Sequence, residues 1–366
     1  MKHKDPASVI VVGAGVIGMM SALALADRGM SVTVLERGKL GRESSWAGGG
    51  ILSSLKPWNC STPVSALIQE SAQNYPDLFA SLERRSSVKI ERLTPGMLFL
   101  NEINLTQATH WCASHAIEHK VLTPEHLVQT FALETNSPAL YLPNIQSVRN
   151  PDLLTALQRT LENLPNVNII PNQGAIQLIQ TDRRIVGAKT QYQVIESDYT
   201  LVCAGAWSGE LLATLGIAIS VKPVKGQMLA YQGYPHQLKT IALSQGRYMI
   251  PRKDDLILVG STLEEVGFDK TTTGQALSEL TDFATRLLPS LADRPLAKHW
   301  AGLRPYSGQG PQVGKVLGVE GLYLNTGHYR NGIASAPASA KRIAQIIANQ
   351  INQNSTPTYA EPQAHL

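Results

Sequence analysis

Cysteine is scarce in this chain: three occur in 366 residues, Cys60, Cys112 and Cys203, widely spaced and odd in number. That excludes a disulfide framework and a Cys-X-X-Cys zinc or redox site, and no metal is expected. No run of 18 or more apolar residues occurs, so no membrane-spanning helix is expected. Residues 1–8 are polar and carry no signal-peptide pattern, which makes a reducing cytoplasm the expected location. Lys/Arg-rich blocks interleaved with aromatics are missing, and the net charge is only +4, so nucleic acid is not an expected partner. A field that weak helps at most to draw in a small anion. No internal repeat is present.

What is present suits a globular protein with a sizeable core: 43% of residues are hydrophobic and 16% charged. The length predicts two interlocked domains or one large α/β unit. Val9-Ile10-Val11-Val12 is a β-branched run that reads as a strand buried on both faces. A glycine-rich turn follows, then a helix over residues 16–28 stopped by Gly29, then a strand over 31–35. Strand, helix and strand in that order make a βαβ unit. Further along, residues 151–164 read as an amphipathic helix, 167–170 and 175–179 as short strands, and 201–204 as a buried strand. Short runs between 221 and 260 (227–231, 247–250, 256–259), split by Gly, Pro and Asp, predict an antiparallel sheet. Residues 275–288 and 333–349 read as helices and 322–325 as a strand, with a loose tail from Asn354. The fold class expected is α/β, α+β overall, with a Rossmann-like nucleotide domain built from discontinuous segments and an inserted, mainly antiparallel sheet. The boundaries are 1–85, 145–220 and 300–366 for the first domain, and 86–144 and 221–299 for the second.

Gly13-Ala14-Gly15-Val16-Ile17-Gly18 fits the dinucleotide fingerprint G-x-G-x-x-G. Gly13 permits the turn off the strand, Gly15 lets backbone approach a pyrophosphate, and Gly18 lets helix and sheet pack closely. The helix start at Val16 and Ile17 presents free N–H groups and a positive dipole end to the phosphates. Glu36, 18 residues past Gly18, is placed to accept ribose hydroxyl hydrogens. Arg37 attracts a 2′-phosphate but Glu36 beside it repels one, which disfavours NADP. The segment Gly41-Arg42-Glu43-Ser44-Ser45-Trp46-Ala47-Gly48-Gly49-Gly50 tips the choice toward a flavin, because small residues let backbone come close to a flat ring and satisfy its polar edge.

These residues resemble the glycine oxidase and D-amino-acid oxidase family of FAD enzymes, most closely the glycine oxidases of thiamine biosynthesis. The resemblance also rests on residues 201–208, Pro223-Val224-Lys225-Gly226, Tyr248-Met249-Ile250-Pro251-Arg252, Trp300-Ala301-Gly302-Leu303-Arg304-Pro305 and Gly327-His328-Tyr329-Arg330-Asn331-Gly332. It implies FAD contacts at Val16, Ile17, Glu36, Arg37, Ser44, Ser45, Gly49, Gly50, Ile51 and Ala175, and along His328, Tyr329, Arg330, Asn331, Gly332, Ile333 and Ala334. It further implies a small amino acid and molecular oxygen as partners, and a homo-oligomer, tetrameric among relatives.

Oxidising an amine is hydride transfer from Cα to the flavin N5. The protein has to hold an α-carboxylate, and arginine matches that group bidentately. Arg304 is the expected clamp, Arg330 a second carboxylate or flavin contact, and Tyr248 a hydroxyl donor to the same site. Gly246 stands where some relatives carry a histidine. Met228 and Met249 read as core. No general acid or base is expected; His328 and His299 are read as structural. Some relatives attach flavin through a cysteine in the C-terminal third, where this chain has none, so FAD is expected to be non-covalent. The product expected is an imine, then glyoxylate and ammonia, with hydrogen peroxide. A sarcosine oxidase, or a D-amino-acid dehydrogenase using another acceptor, is the alternative; a non-catalytic FAD-binding module is the third reading.

Overall fold

The computed structural model describes residues 6–101 and 103–355. Its first sheet has six strands, in the order Gln312–Lys315, Leu322–Thr326, Tyr199–Val202, Ser8–Val12, Ser31–Leu35 and Val167–Ile170. All neighbours pair in parallel except the first two. Both faces are covered, which is why these strands read as unbroken apolar runs. Val9, Val11, Val32 and Val34 face the helices Val16–Ala26, Thr62–Ser86, Asn150–Glu162 and Gly332–Ser355. Ile10, Val12 and Leu35 face the other way, onto a three-stranded antiparallel sheet that contributes Leu178, Ile185 and Ala188.

The second sheet has eight strands. Leu296–Ser307 lies at one edge, followed by Val221–Gln232, Leu256–Gly260, Arg247–Pro251, Ile241–Ser244, Met97–Leu100, Ala139–Leu142 and Lys120–Leu122. Pairing is antiparallel except between Ile241–Ser244 and Met97–Leu100. One face packs on the helix Gly274–Leu287 through Leu280, Phe283 and Leu287. These side chains are nearly fully buried, each contributing roughly 1.5–3 kcal/mol relative to exposure. Thr273 caps that helix, its hydroxyl accepting from the Ala276 N–H. The opposite face carries Met228, Tyr248, Ile250 and Trp300 toward the first sheet.

Three elements depart from the sequence reading. Residues 227–231 belong to a 12-residue strand, Val221–Gln232, which pairs over its length with the equally long Leu296–Ser307. The strand read at 175–179 runs Gln177–Thr181. The last helix extends to Ser355, so Asn354 is helical; the remainder of the tail lies outside the described residues. Among the described residues no helix is long and apolar enough to cross a membrane.

Candidate active site

The strand Ser8–Val12 ends at Gly13, whose φ of +104° turns the chain sharply into the helix beginning at Val16. Helix and turn touch so closely that a Cβ on Gly18 would lie 1.8 Å from the Gly13 carbonyl oxygen. Only hydrogen fits there. Glu36, at the end of the next strand, is buried and accepts from the N–H of Ala14 (2.8 Å) and of Gly38 (3.0 Å). Its remaining lone pairs face a cavity of about 700 Å³, which Gly13, Gly15, Val16, Ile17 and Arg37 also line. The Val16 N–H donates to Ser45 Oγ at 2.9 Å, setting that hydroxyl over the helix start. The Arg37 guanidinium lies 4.1 Å over the Trp207 ring, which stacks on Phe268.

The segment from Ser44 to Ile51, a helical turn over Ser44–Ala47 followed by a glycine loop, lines the same cavity. Its carbonyls are held from outside, and by side chains. Asn150 Nδ2 donates to Ser45 O (2.7 Å) and Gly48 O (2.9 Å), and Trp300 Nε1 to Ala47 O (3.1 Å). Arg252 donates to Gly49 O (2.8 Å) and Val148 O (3.1 Å). Burial pushes Arg252 down to about 10, yet it stays charged at neutral pH, so these bonds are charge-assisted. With the carbonyls committed, the N–H groups of Gly49 and Gly50 meet no protein acceptor among the described residues. A Cβ on Gly50 would meet Val148 O at 2.0 Å. A bare backbone edge of unsatisfied donors beside a long cavity fits the polar rim of a flavin ring.

The wall from the second sheet brings Arg304, Tyr248 and Met228 to this cavity, and the turn before the last helix adds Arg330. Tyr248 and Arg304 both act electrostatically on Arg330, as close neighbours do. Arg304 Nη1 donates to Thr262 O (3.2 Å) and Nη2 to Ser261 Oγ (2.5 Å). Arg330 Nη2 donates to the Gly246 carbonyl at 2.9 Å. Burial pushes the Arg330 pKa down and the nearby Arg304 charge adds to this. Neither guanidinium has a carboxylate partner within 4 Å among the described residues. Among the described residues the Tyr248 hydroxyl has only the Met228 sulfur, 3.4 Å away, a weak acceptor. Met228 therefore belongs to the site wall as well as the core, whereas Met249 is core alone.

Ser44, Gly49, Gly50, Ile51, Ala175, His328, Tyr329, Gly332 and Ile333 also line the cavity, but Gly18, Asn331 and Ala334 do not. Gly18 stands behind the turn it supports. Sequence reasoning gave no site role to Arg252 or Trp207, which appear there only inside motifs of the resemblance, nor to Asn150 or Ser261; each acts across more than 40 residues of chain. Cys203 lines the cavity beneath the glycine turn, and burial pushes its thiol up to about 12, so it is an unreactive wall.

His328 is buried and both ring nitrogens are taken. Nε2 lies 2.8 Å from Asn325 Oδ1 and Nδ1 lies 2.9 Å from Ser335 Oγ. Asn325 Nδ2 faces Ser21 and Ser339, so Oδ1 accepts from Nε2–H, while Nδ1 shares the Ser335 hydroxyl with the Asn331 carbonyl, to which Ser335 donates at 2.8 Å. Burial pushes the pKa down to about 4. Below the unfolded value of 6.5 the unfolded chain takes up a proton that the folded chain refuses, so stability present at neutral pH is lost as pH falls from 6.5 toward 4. At pH 5 the loss attributable to His328 is about 2 kcal/mol relative to pH 7. Urea unfolding of the native chain and His328→Asn at both pH values measures it: the variant is expected to lose about 2 kcal/mol less on acidification, and parallel pH slopes would rule the effect out.

The model of the DAO family, described as FAD dependent oxidoreductase, matches residues 8–346. The chain is 42% identical over 348 residues to the glycine oxidase of Pseudomonas aeruginosa, covering 93% of this chain and 95% of that protein. It is 29% identical to the bifunctional protein ThiO/ThiG of Trichormus variabilis, again across 93% of this chain but 53% of that longer protein. The crystal structure of glycine oxidase from Bacillus cereus superposes with a TM-score of 0.87 at 26% identity, covering 94% and 98% of the two chains.

Proposed function

The chain belongs to the FAD-dependent oxidoreductases of the DAO family, and on that premise we propose that it oxidises glycine within thiamine biosynthesis. The observation that carries the reading is two guanidinium groups and a tyrosine hydroxyl gathered on one cavity without an acidic partner. Unpaired charge in such a place costs folding free energy and is retained where an anion comes to neutralise it. A small α-amino acid supplies that anion.

FAD, when bound, would supply a two-electron acceptor for the hydride of Cα, with dioxygen as the final oxidant, and the balance is glycine plus dioxygen to iminoglycine plus hydrogen peroxide. Water then converts the free imine to glyoxylate and ammonia. The residues that would hold the cofactor are the glycine turn, Glu36, the Ser44–Ile51 loop and the turn from His328 to Ile333. Arg304 grips the carboxylate with the donors that Ser261 and Thr262 leave free, and Tyr248 adds a hydroxyl. Arg330 places a second positive charge beside the amine, which favours its neutral form, the form able to give up hydride. His328, neutral and doubly hydrogen-bonded, takes no proton in this reading; the ammonium proton leaves to solvent. The helix Gly332–Ser355 presents its positive end where negative charge develops. The three cysteines are all free, which suits a reducing cytoplasm.

The test is a panel of small amines mixed with the yellow holoprotein under nitrogen. Glycine is expected to bleach the flavin fully, and admission of air to release about one peroxide per turnover. Sarcosine and D-alanine rank beside it. A flavin that stays oxidised under saturating glycine ends the proposal.

A further inference from the structure

Arg304 has to offer a carboxylate the same fork on every encounter, and nothing in its own strand fixes a side chain of that length. The strand Leu296–Ser307 places Arg304 opposite Val224 and next to Gly226, over which the guanidinium lies flat. A Cβ on Gly226 would sit 2.0–2.3 Å from its nitrogens and carbon. From the other side come Ser261 and Thr262, both buried, which accept from Nη2 and Nη1. Two of the five guanidinium donors are thereby committed and three remain for a ligand.

The segment carrying these two acceptors is itself tied down. The Thr262 hydroxyl accepts from the Gln227 N–H at 2.9 Å and donates to Glu264 Oε1 at 2.5 Å. Lys225 and Glu264 exchange backbone hydrogen bonds of 2.9 and 3.0 Å. The Lys225 ammonium, 1% exposed and on the strand face away from Gly226, reaches Glu264 (3.0 Å), Asp269 (3.3 Å) and the Thr271 carbonyl (3.1 Å). All three of its donors have acceptors. Lys270 pairs with Glu43 at the cavity rim (2.9 Å). The segment 261–273 is thus anchored independently of Arg304.

We infer that Ser261 is a positioning residue: held by the anchored segment, its hydroxyl orients the Arg304 guanidinium and so sets the affinity of the site for a substrate's carboxylate. The inference rests on the reading of Arg304 as the carboxylate clamp. Removing the hydroxyl leaves the guanidinium one charge-assisted hydrogen bond short and tethered by the Thr262 carbonyl alone, a change expected to weaken carboxylate binding about tenfold.

Calorimetric titration of the holoprotein with acetate, a carboxylate that has no amine to oxidise, reads this without turnover. Ser261→Ala is expected to raise the acetate Kd about tenfold, with one flavin per chain retained, and to place most of its kinetic loss with glycine on KM rather than kcat. Ser261→Thr, which keeps the hydroxyl, is expected to return toward the native Kd. An acetate Kd within about twofold of native in Ser261→Ala, or equal losses in the Ala and Thr variants, overturns the inference. Arg304→Lys separates the two levels. If it too leaves acetate binding intact, the clamp reading has failed; if it weakens binding while Ser261→Ala does not, only the positioning role has failed.

Discussion

Arg304→Leu is expected to lower kcat/KM for glycine by about one and a half to three and a half orders of magnitude while the protein stays yellow. The size follows from the loss of a charged, hydrogen-bonded partner for the substrate's carboxylate, worth roughly 2–5 kcal/mol, at about 1.4 kcal/mol per tenfold. Leucine keeps much of the stem's packing volume, and this strand meets the Ser44–Ile51 segment through Trp300 and Gly302, whereas the Arg304 guanidinium bonds only to Ser261 and Thr262 among the described residues. Flavin content is therefore expected near one per chain. Lysine at the same position keeps the charge but not the fork, and a loss of about tenfold, smaller than that of leucine, is expected. Arg330 remains in both variants and prevents complete loss of anion attraction. Steady-state oxygen consumption with glycine, alongside the flavin absorbance of each preparation, gives both quantities. A normal kcat/KM in Arg304→Leu would show that substrate carboxylates are held elsewhere.

The parts of this molecule legible from sequence are those whose determinants are local. Val9 to Val12, the positive-φ glycine, the helix and the acid after the next strand lie within some 30 residues, and each enforces its neighbour. The two longest strands were legible only as fragments. Pro223 and Pro305 interrupt them, and proline in a sheet interior argues against a strand. In the fold these two prolines face one another in register, so their missing N–H donors coincide on one rung and the ladder continues on either side. Nothing in either segment alone announces that. The same holds for Arg252 and Ser261. Arg252 closes a motif of the resemblance but shows no role until the sheet carries it to the Gly49 carbonyl, and the Ser261 hydroxyl has no meaning before the strand ending at Gly260 brings it to Arg304. Arg304 was visible because arginine is the residue type that carboxylates demand; the ordinary serine that its guanidinium bonds was not.

Gly18→Ala is expected to produce a protein that has lost its flavin, with cofactor affinity down by at least about 100-fold, and the cause is a single methyl group. The added Cβ would stand 1.8 Å from the Gly13 carbonyl oxygen, 3.0 Å from its carbon and 3.3 Å from the Cys203 Cβ. Two of those atoms are backbone, so no side-chain rotation relieves the contact. Either the helix Val16–Ala26 withdraws from the sheet, opening gaps beside Val9, Val11 and Met19, or the turn at Gly13 moves. Gly13 has little room: its own Cβ position is 2.5 Å from the Cys203 carbonyl oxygen, and its N–H is bonded to Leu35 O at 2.8 Å. Both outcomes displace the helix start at Val16 and Ile17, and with it the Ser45 hydroxyl that the Val16 N–H holds, from where a pyrophosphate would sit. Gly274→Ala is the control, because nothing lies within 4 Å of its Cβ and it starts a capped helix; a change of under about 1 kcal/mol is expected. The ratio of flavin to protein absorbance after dialysis, with and without added FAD, measures the effect. A Gly18→Ala protein that kept one flavin per chain would show that the phosphates rest somewhere other than this turn.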